Sequence, residues 1–318
     1  MFIEKFYKML DEKEELYEQL VLWGVVPPIH DLNCFFCNQG AYLRIRERST
    51  GVSYRIRCKF CRKEYSLFKN GFFCFDKDEM IRMKLNIEKI LKVIYFTFEN
   101  KSIADLITLT GVKSKTTLID WTNYIREAAH INVNGEMLGG EGKIVQIDES
   151  LMRGRRKNNR GRYLLGDILD LDPVSNSRRL NYGDRENGPW VFGMAEVNSR
   201  KIKLFYVEDR KESTLLPILL EHVHPETTIW SDEWKAYVNL KDYFKKHETV
   251  RHSENFIDLE TGANTQLIEC LWSHAKLNIM KNKRGTNITL LQSHLSFFSF
   301  QYRYKYEDPF EVFMRTIR

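Results

Sequence analysis

Two C-x-x-C pairs, "CFFC" at Cys34 and Cys37 and "CKFC" at Cys58 and Cys61, stand 20 residues apart. This is the spacing of a structural zinc site, in which four thiolates fill every ligand position and leave none open for chemistry. Between the pairs, "AYLRIRERSTGVSYRIRC" alternates on either side of a Ser-Thr-Gly turn, which predicts a two-stranded ribbon. A ribbon this small buries too little apolar surface to fold unaided, so one zinc ion is expected to staple it. Arg44, Arg46, Arg55 and Arg57 are expected to face outward and meet phosphate. From Cys34 to Cys74 nine Lys/Arg oppose two acids, although the whole chain of 318 residues carries only +6. Such local excess points to a polyanionic partner. Cys74 and Cys270 fall outside the pairs and are expected to be buried thiols in a reducing compartment.

A hydrophobic content of 43% fits a folded globular chain. No run approaches the ~18 apolar residues of a membrane span. The first residues, "MFIEKFYKMLDEKEELYEQLVLWG", are charged throughout, unlike a secretory leader. There Ile3, Phe6, Leu10 and Leu20 predict an amphipathic helix within residues 1–30, for packing or dimerisation. The ribbon would occupy residues 31–78. Residues 79–138 read as helical. In "KSIADLITLTGVKSKTTLIDWTNYIREAAH", Ser102 caps a short helix, Gly111 makes a turn and Ser114 caps a longer one. That is the outline of a helix-turn-helix, with Lys113, Lys115, Thr116 and Thr117 placed to face DNA; a plain three-helix bundle shares the outline.

From Lys143 strands and helices alternate, the mark of an α/β domain. A strand "KIVQID", a hairpin "WVFGMAEVNS"/"KIKLFYVED", a helix "STLLPILLEHV" capped by Ser213, a strand "TTIWSD" and a helix "NTQLIECLWSHAKLNIMKN" follow the order of an RNase H-like core. Asp148 ends the first strand and Asp232 ends the fourth, and strand ends gather at one edge of an open sheet. Glu269, one turn into the last helix, is placed to join them. Three carboxylates suit Mg²⁺ or Mn²⁺, as two ions about 4 Å apart. Glu149 and Glu233 are alternatives or supporting groups. Asp167, Asp170 and Asp172 read as a solvated loop, and His222 and His224 as surface groups. Beyond Glu269, Trp272 and Lys276 share a helical face: Trp272 to pack and position the helix, Lys276 to reach a phosphate. Immediately after the first strand, Arg153, Arg155, Arg156, Lys157, Arg160 and Arg162 are expected to grip the DNA backbone in a salt-sensitive way.

The stretches "DESLMRGRRKNNRGR", "WVFGMAEV", "LLPILLEHVHPETTIWSDEWKAY", "HSENFIDLETGANTQLIECLWSHAK" and "LQSHLSFFSFQYRY" resemble the Merlin superfamily of DNA transposases, relatives of bacterial insertion-sequence transposases. The resemblance implies a catalytic triad of Asp148, Asp232 and Glu269, with 36 residues between the last two, in an RNase H-like domain over 139–318. It also implies supporting roles for His252 and Asn255. The expected activity is cleavage at transposon ends and joining of the 3′-hydroxyl to target DNA by a homodimer or larger assembly. Its partners would be double-stranded terminal inverted repeats and target DNA, met in the nucleus, or in the cytoplasm and nucleoid for a prokaryotic chain. One departure is an insertion around 163–188, "YLLGDILDLDPVSNSRRLNYGDRENG". Two other readings stay open: a domesticated DNA-binding protein without turnover, and an RNase H-like nuclease that only hydrolyses.

Overall fold

The computed structural model describes residues 1–48, 51–68, 72–73, 85–152, 188–251, 256–282 and 286–317. Cys74, the Arg153–Arg162 block, Asp167, Asp170, Asp172, His252 and Asn255 lie outside the described residues, as does the insertion through residue 187. The chain divides into two compact units, Met1–Asn132 with Tyr304–Arg318, and Val133–Arg303. The segment from Tyr304 thus groups with the first unit.

In the first unit the N-terminal segment forms two helices, α1 (Ile3–Asp11) and α2 (Lys13–Leu22), with Glu12 extended between them. A single helix was expected, and apolar spacing explains the break. Phe6 and Leu10 lie one turn apart, but Leu16 would follow Leu10 about 240° around a continuous helix. Breaking at Glu12 turns both stripes inward: Phe6, Leu10, Leu16 and Leu20 are buried, while Ile3 is exposed. Strands β1 (Ala41–Arg48) and β2 (Gly51–Cys58) pair antiparallel from Ala41↔Cys58 to Arg48↔Gly51. A third strand that the sequence reading lacked, β3 (Glu64–Ser66), adds to β2.

Helix α3 (Ile87–Phe98), capped by Asn86, is buried along most of its length. Helix α4 (Ile103–Thr110) starts in a reciprocal capping box between Ser102 and Asp105 and ends at Gly111, whose φ of 66° is left-handed. Helix α5 (Lys115–Asn134) follows after Ser114, whose Oγ accepts from Thr117 N at 3.3 Å. The C-terminal helix Pro309–Thr316 is held to this unit by Phe310, whose ring meets those of Phe6, Trp23 and Tyr95 at 5.6, 5.6 and 5.3 Å.

The second unit is a mixed α/β layer structure. Its strands are β4 (Ile144–Leu151), β5 (Trp190–Glu196), β6 (Ile202–Val207), β7 (Thr228–Asp232) and β8 (Lys246–Val250), in the order β6-β5-β4-β7-β8. The first three form an antiparallel meander, and β7 and β8 run parallel to β4. Strand β8, "KHETV", escaped the sequence reading because it buries only Val250 and shows no apolar alternation. Helix α6 (Glu212–His222) covers one face, where Leu215 and Leu219 pack on Val145, Ile147, Phe192 and Met194. Its cap region is organised by Asp209, which accepts from Lys211 N and Thr214 Oγ1, and not by Ser213 as expected. Helices α7 (Gln266–Lys276) and α8 (Ile288–Arg303) cover the other face, where Ile268, Leu271, Trp272, Leu291 and Leu295 meet Val191, Ala195 and Leu204.

Candidate functional site

Alternation along β4 sends Val145, Ile147 and Glu149 to the α6 face and Gln146 and Asp148 to the α7 face. Gln146 is buried, and its amide fixes the start of α7. Its Oε1 accepts from Leu267 N at 3.0 Å and Ile268 N at 3.2 Å, and its Nε2 donates to Asn264 Oδ1 at 3.0 Å. A strand side chain thereby satisfies two of the helix's otherwise orphaned amide groups.

Two residues further, Asp148 Oδ2 accepts from Trp272 Nε1 at 2.8 Å. In the sheet Asp148 faces Gly193 of β5. A Cβ on Gly193 would come within 2.6 Å of the Trp272 ring and 2.9 Å of Ile268 Cδ1, so the indole occupies space that any other residue would fill. Glu269, three residues before Trp272, accepts from Thr265 Oγ1 at 2.8 Å through Oε1. Asp232 is the last residue of β7, and its Oδ1 accepts from Trp234 N at 3.1 Å.

The pairing of β4 with β7 runs from Ile144↔Thr228 to Gln146↔Trp230, and continuing that register puts Asp232 level with Asp148. Asp148 was expected to end its strand, but β4 continues to Leu151 against β5. Asp148 lies instead just past the last pair between β4 and β7, where the central strand loses one neighbour.

Asp148 is subject to the charge of the other two acids. Burial, chiefly, and the charges of Asp232 and Glu269 raise the Asp148 carboxyl from its ordinary 3.8 to about 6, against the hydrogen bonds from Trp272 and the Glu149 amide. The three acids do not close to the spacing of a tight ligand set. Among the described residues, only the four cysteines form a group of three or more ligand side chains with all donor atoms within 4.8 Å.

Glu149 serves the opposite face. It accepts from Tyr237 Oη and lies 4.0 Å from Arg210 Nη1, and burial is the main cause raising it to about 7. The Arg210 guanidinium sits 3.9 Å from the Trp190 ring centroid and 4.5 Å from that of Trp234. Trp234 Nε1 donates to Arg210 O at 3.2 Å, so this stack adjoins the residue that anchors Asp232. Glu233 is turned to Arg251, 2.7 Å away. Lys276 is partly buried on α7, and Cys270 is exposed on that helix, contrary to the buried thiol expected. His222 is not a surface group: its ring stacks on Phe205 at 4.6 Å. Sequence reasoning missed Gln146, Gly193, Thr265, Tyr237 and Arg210. Gly193, inside a strand rich in large side chains, is the one that carried a signal.

In the first unit the sulfurs of Cys34 and Cys61 are 3.6 Å apart and those of Cys37 and Cys58 3.5 Å. Burial acts to raise the Cys58 thiol, but hydrogen bonds from the Cys61 and Phe60 amides and from the neighbouring thiols outweigh it and lower Cys58, while the same thiol contacts raise its partner Cys61. The strand arginines are not independent outward cations. Arg44, Arg46 and Arg55 lie 3.2, 3.2 and 3.0 Å from Glu64, three guanidinium groups around one carboxylate, while Arg57 is half-exposed. At the start of α5, Lys113, Lys115 and Thr116 are exposed, but the Thr117 hydroxyl is bonded to Ser114 Oγ at 2.9 Å.

An "Uncharacterized transposase-like protein" from Haemophilus influenzae is 30% identical to this chain over 81 residues, which cover 26% of the chain and 64% of that protein. That match therefore spans a little less than two thirds of the relative's own length. The model of the ISXO2-like transposase domain matches residues 133–306, more than half of the chain and the whole of the unit that holds Asp148, Asp232 and Glu269, and the chain belongs to that family of insertion-sequence transposases.

Proposed function

We propose that this chain cuts DNA at the ends of a mobile element and joins the freed 3′-hydroxyl to target DNA, with Asp148, Asp232 and Glu269 as its reactive centre. The observation that supports the proposal is the register that sets Asp232 level with Asp148, with the charges of Asp232 and Glu269 felt at Asp148. The meander followed by two parallel strands supports reading the second unit as RNase H-like. The quoted motifs support the narrower placement near Merlin transposases. The cysteine ribbon and the α4–α5 pair are proposed to bind the element's terminal repeats, and pairing two ends calls for at least two copies of the chain.

The donor set fits Mg²⁺ or Mn²⁺, because it offers only hard carboxylate oxygens and carries like charge that a cation relieves. Two such ions, when bound, supply Lewis-acid polarisation of the phosphate and of the attacking oxygen. The protein's own share is preorganisation. One oxygen of each acid is anchored by a protein donor: Asp148 by Trp272, Asp232 by the Trp234 amide, and Glu269 by Thr265. Rotation of each carboxylate is thereby restricted. Four cysteine sulfurs at 3.5–3.6 Å across the pairs likewise fit one structural zinc.

Each reaction is an in-line displacement at phosphorus, in which one P–O bond forms as another breaks. The attacking oxygen comes first from water and then from the 3′-hydroxyl. A strand-transfer assay with pre-cut ends bearing the flanking inverted repeats and Mg²⁺ tests the proposal. Asp148→Asn should abolish joining and leave end binding nearly intact. Full joining by that variant, or hydrolysis without joined product from the wild type, would remove it.

A further inference from the structure

The two cysteine pairs are built alike. In each, the residue before the second cysteine is phenylalanine, Phe36 in "CFFC" and Phe60 in "CKFC". Each spends its amide on the first sulfur of its pair: Phe36 N donates to Cys34 Sγ at 3.4 Å and Phe60 N to Cys58 Sγ at 3.2 Å. With the backbone turned to the sulfurs, the rings are left outside. Phe60 is 77% exposed and Phe36 49%. Full burial of such a ring is worth about 1.5–3 kcal/mol, most of which is forgone at Phe60. Folding of the ribbon therefore does not account for phenylalanine at position 60, and accounts only in part for Phe36, whose ring meets those of Phe35 and Tyr65 at 5.5 and 5.6 Å.

The surroundings narrow what covers these rings. Tyr65 props the first knuckle. Its ring meets Phe36 at 5.6 Å, and its hydroxyl accepts from Phe35 N at 2.9 Å and donates to Asn33 O at 3.0 Å. Lys63 Nζ lies 4.4 Å from the Phe36 ring centroid, and Lys59, Arg62 and Lys63 are all exposed. Arg44, Arg46 and Arg55 on the strands share Glu64, so the knuckles carry cations of a different kind: exposed, and beside exposed aromatic faces. A ligand that suits this pattern has flat π faces and regularly spaced negative charge. Duplex DNA offers the charge, but its base faces are covered by their neighbours. Unpaired nucleotides offer both.

We infer that the zinc knuckles form a stacking surface for unpaired nucleotides at a DNA end, with Phe36 and Phe60 taking base faces and Lys59, Arg62 and Lys63 the adjoining phosphates. The inference rests on the DNA-binding part of the proposed function and is independent of the acid site.

Fluorescence anisotropy on the full zinc-loaded chain tests it, using one duplex in two forms: blunt, and carrying an unpaired 3′ tail of several thymidines. The wild type should prefer the tailed form. Phe36→Ala with Phe60→Ala should weaken tailed binding by roughly 10-fold or more, from stacking of about 1–3 kcal/mol per base, and change blunt binding by less than about 2-fold. Zinc content, measured alongside, should not change, because both rings lie outside the sulfur cluster. Phe36→Leu with Phe60→Leu, apolar but without a π face, should behave like the alanine pair, and Phe60→Trp should keep the tail preference. Equal losses on both DNA forms, no loss on either, or leucine variants that retain the preference would overturn the inference. Blunt binding without any tail preference defeats this inference alone. If neither form binds, the DNA-binding part of the proposed function fails with it.

Discussion

Trp272 reaches Asp148 across a gap in β5 that exists because the facing residue is Gly193. The indole packs beneath α7 and donates its N–H to the carboxylate that the proposed chemistry needs fixed. A side chain at 193 should therefore damage the site through Trp272. Gly193→Ala puts a carbon 2.6 Å from the ring, and relieving that overlap should cost about 1–3 kcal/mol of stability. Joining should fall at least about 10-fold, the scale of a misplaced reactive group. Trp272→Phe keeps most of the packing and removes the donor. It should lower joining more than it lowers the melting temperature. Wild-type joining by Trp272→Phe would show that the bond to Asp148 has no part in the reaction.

The raised carboxyls set a pH dependence with a definite sign. Asp148 moves from 3.8 to about 6 and Glu149 from 4.5 to about 7, so between about pH 4 and pH 7 the folded state holds more protons than the unfolded one. Stability then falls as pH rises through that window, by up to ~1.4 kcal/mol per pH unit for each group. The contribution is complete below the unfolded values and gone above the folded ones. His130, His222 and His247, lowered by burial, act with the opposite sign, so the difference between wild type and Asp148→Asn is the quantity to follow in buffer without magnesium or manganese. Asp148→Asn should melt higher than wild type at pH 8 and close to it at pH 4.5. An advantage of Asp148→Asn over wild type that fails to grow between pH 4.5 and pH 8 would contradict the burial of Asp148.

How far such features can be read beforehand depends on what enforces them. The grouping of the cysteine pairs and the placing of Asp148 and Asp232 on strands were legible because short local patterns mark them: C-x-x-C, and acids next to apolar strand runs. The capping of α4 by Ser102 and Asp105 was legible for the same reason, since the cap and its partner are three residues apart. Gln146 bonding to the start of α7 joins residues more than a hundred positions apart, and no local pattern records it. Clustering of Arg44, Arg46 and Arg55 on Glu64 depends on β3, whose three residues are too few to show alternation. Cys270 was misjudged because hydrophobic character alone does not say which side of a helix faces the sheet; Ile268, Leu271 and Trp272 took the inner side.

Chelation should separate the two units. If the four cysteines hold zinc, its removal would leave sulfurs 3.5–3.6 Å apart across the pairs without a shared cation, and a ribbon this small has little else to hold it. A strong chelator, or Cys58→Ser, should abolish binding to end DNA and lower zinc content well below one ion per chain. The sheet unit that carries Asp148 should keep its cooperative melt. A fully metal-free protein that still binds ends with native affinity would exclude the structural zinc.

Glu64 offers a test in the direction of gain. It neutralises part of the charge of three arginines, with distances of 3.0–3.2 Å, and is itself partly exposed. Glu64→Gln keeps the shape and removes one negative charge beside three positive ones. The local field grows, so nonspecific affinity for duplex DNA should rise, and the slope of log affinity against log salt should steepen by about one. Stability should drop only slightly, because ion pairs exposed to this degree contribute about 0–1 kcal/mol. Titrations of a blunt duplex at several salt concentrations read both quantities at once. If Glu64→Gln leaves the slope and affinity unchanged, the strand arginines do not contact DNA, and the knuckles and α5 must account for binding in the first unit.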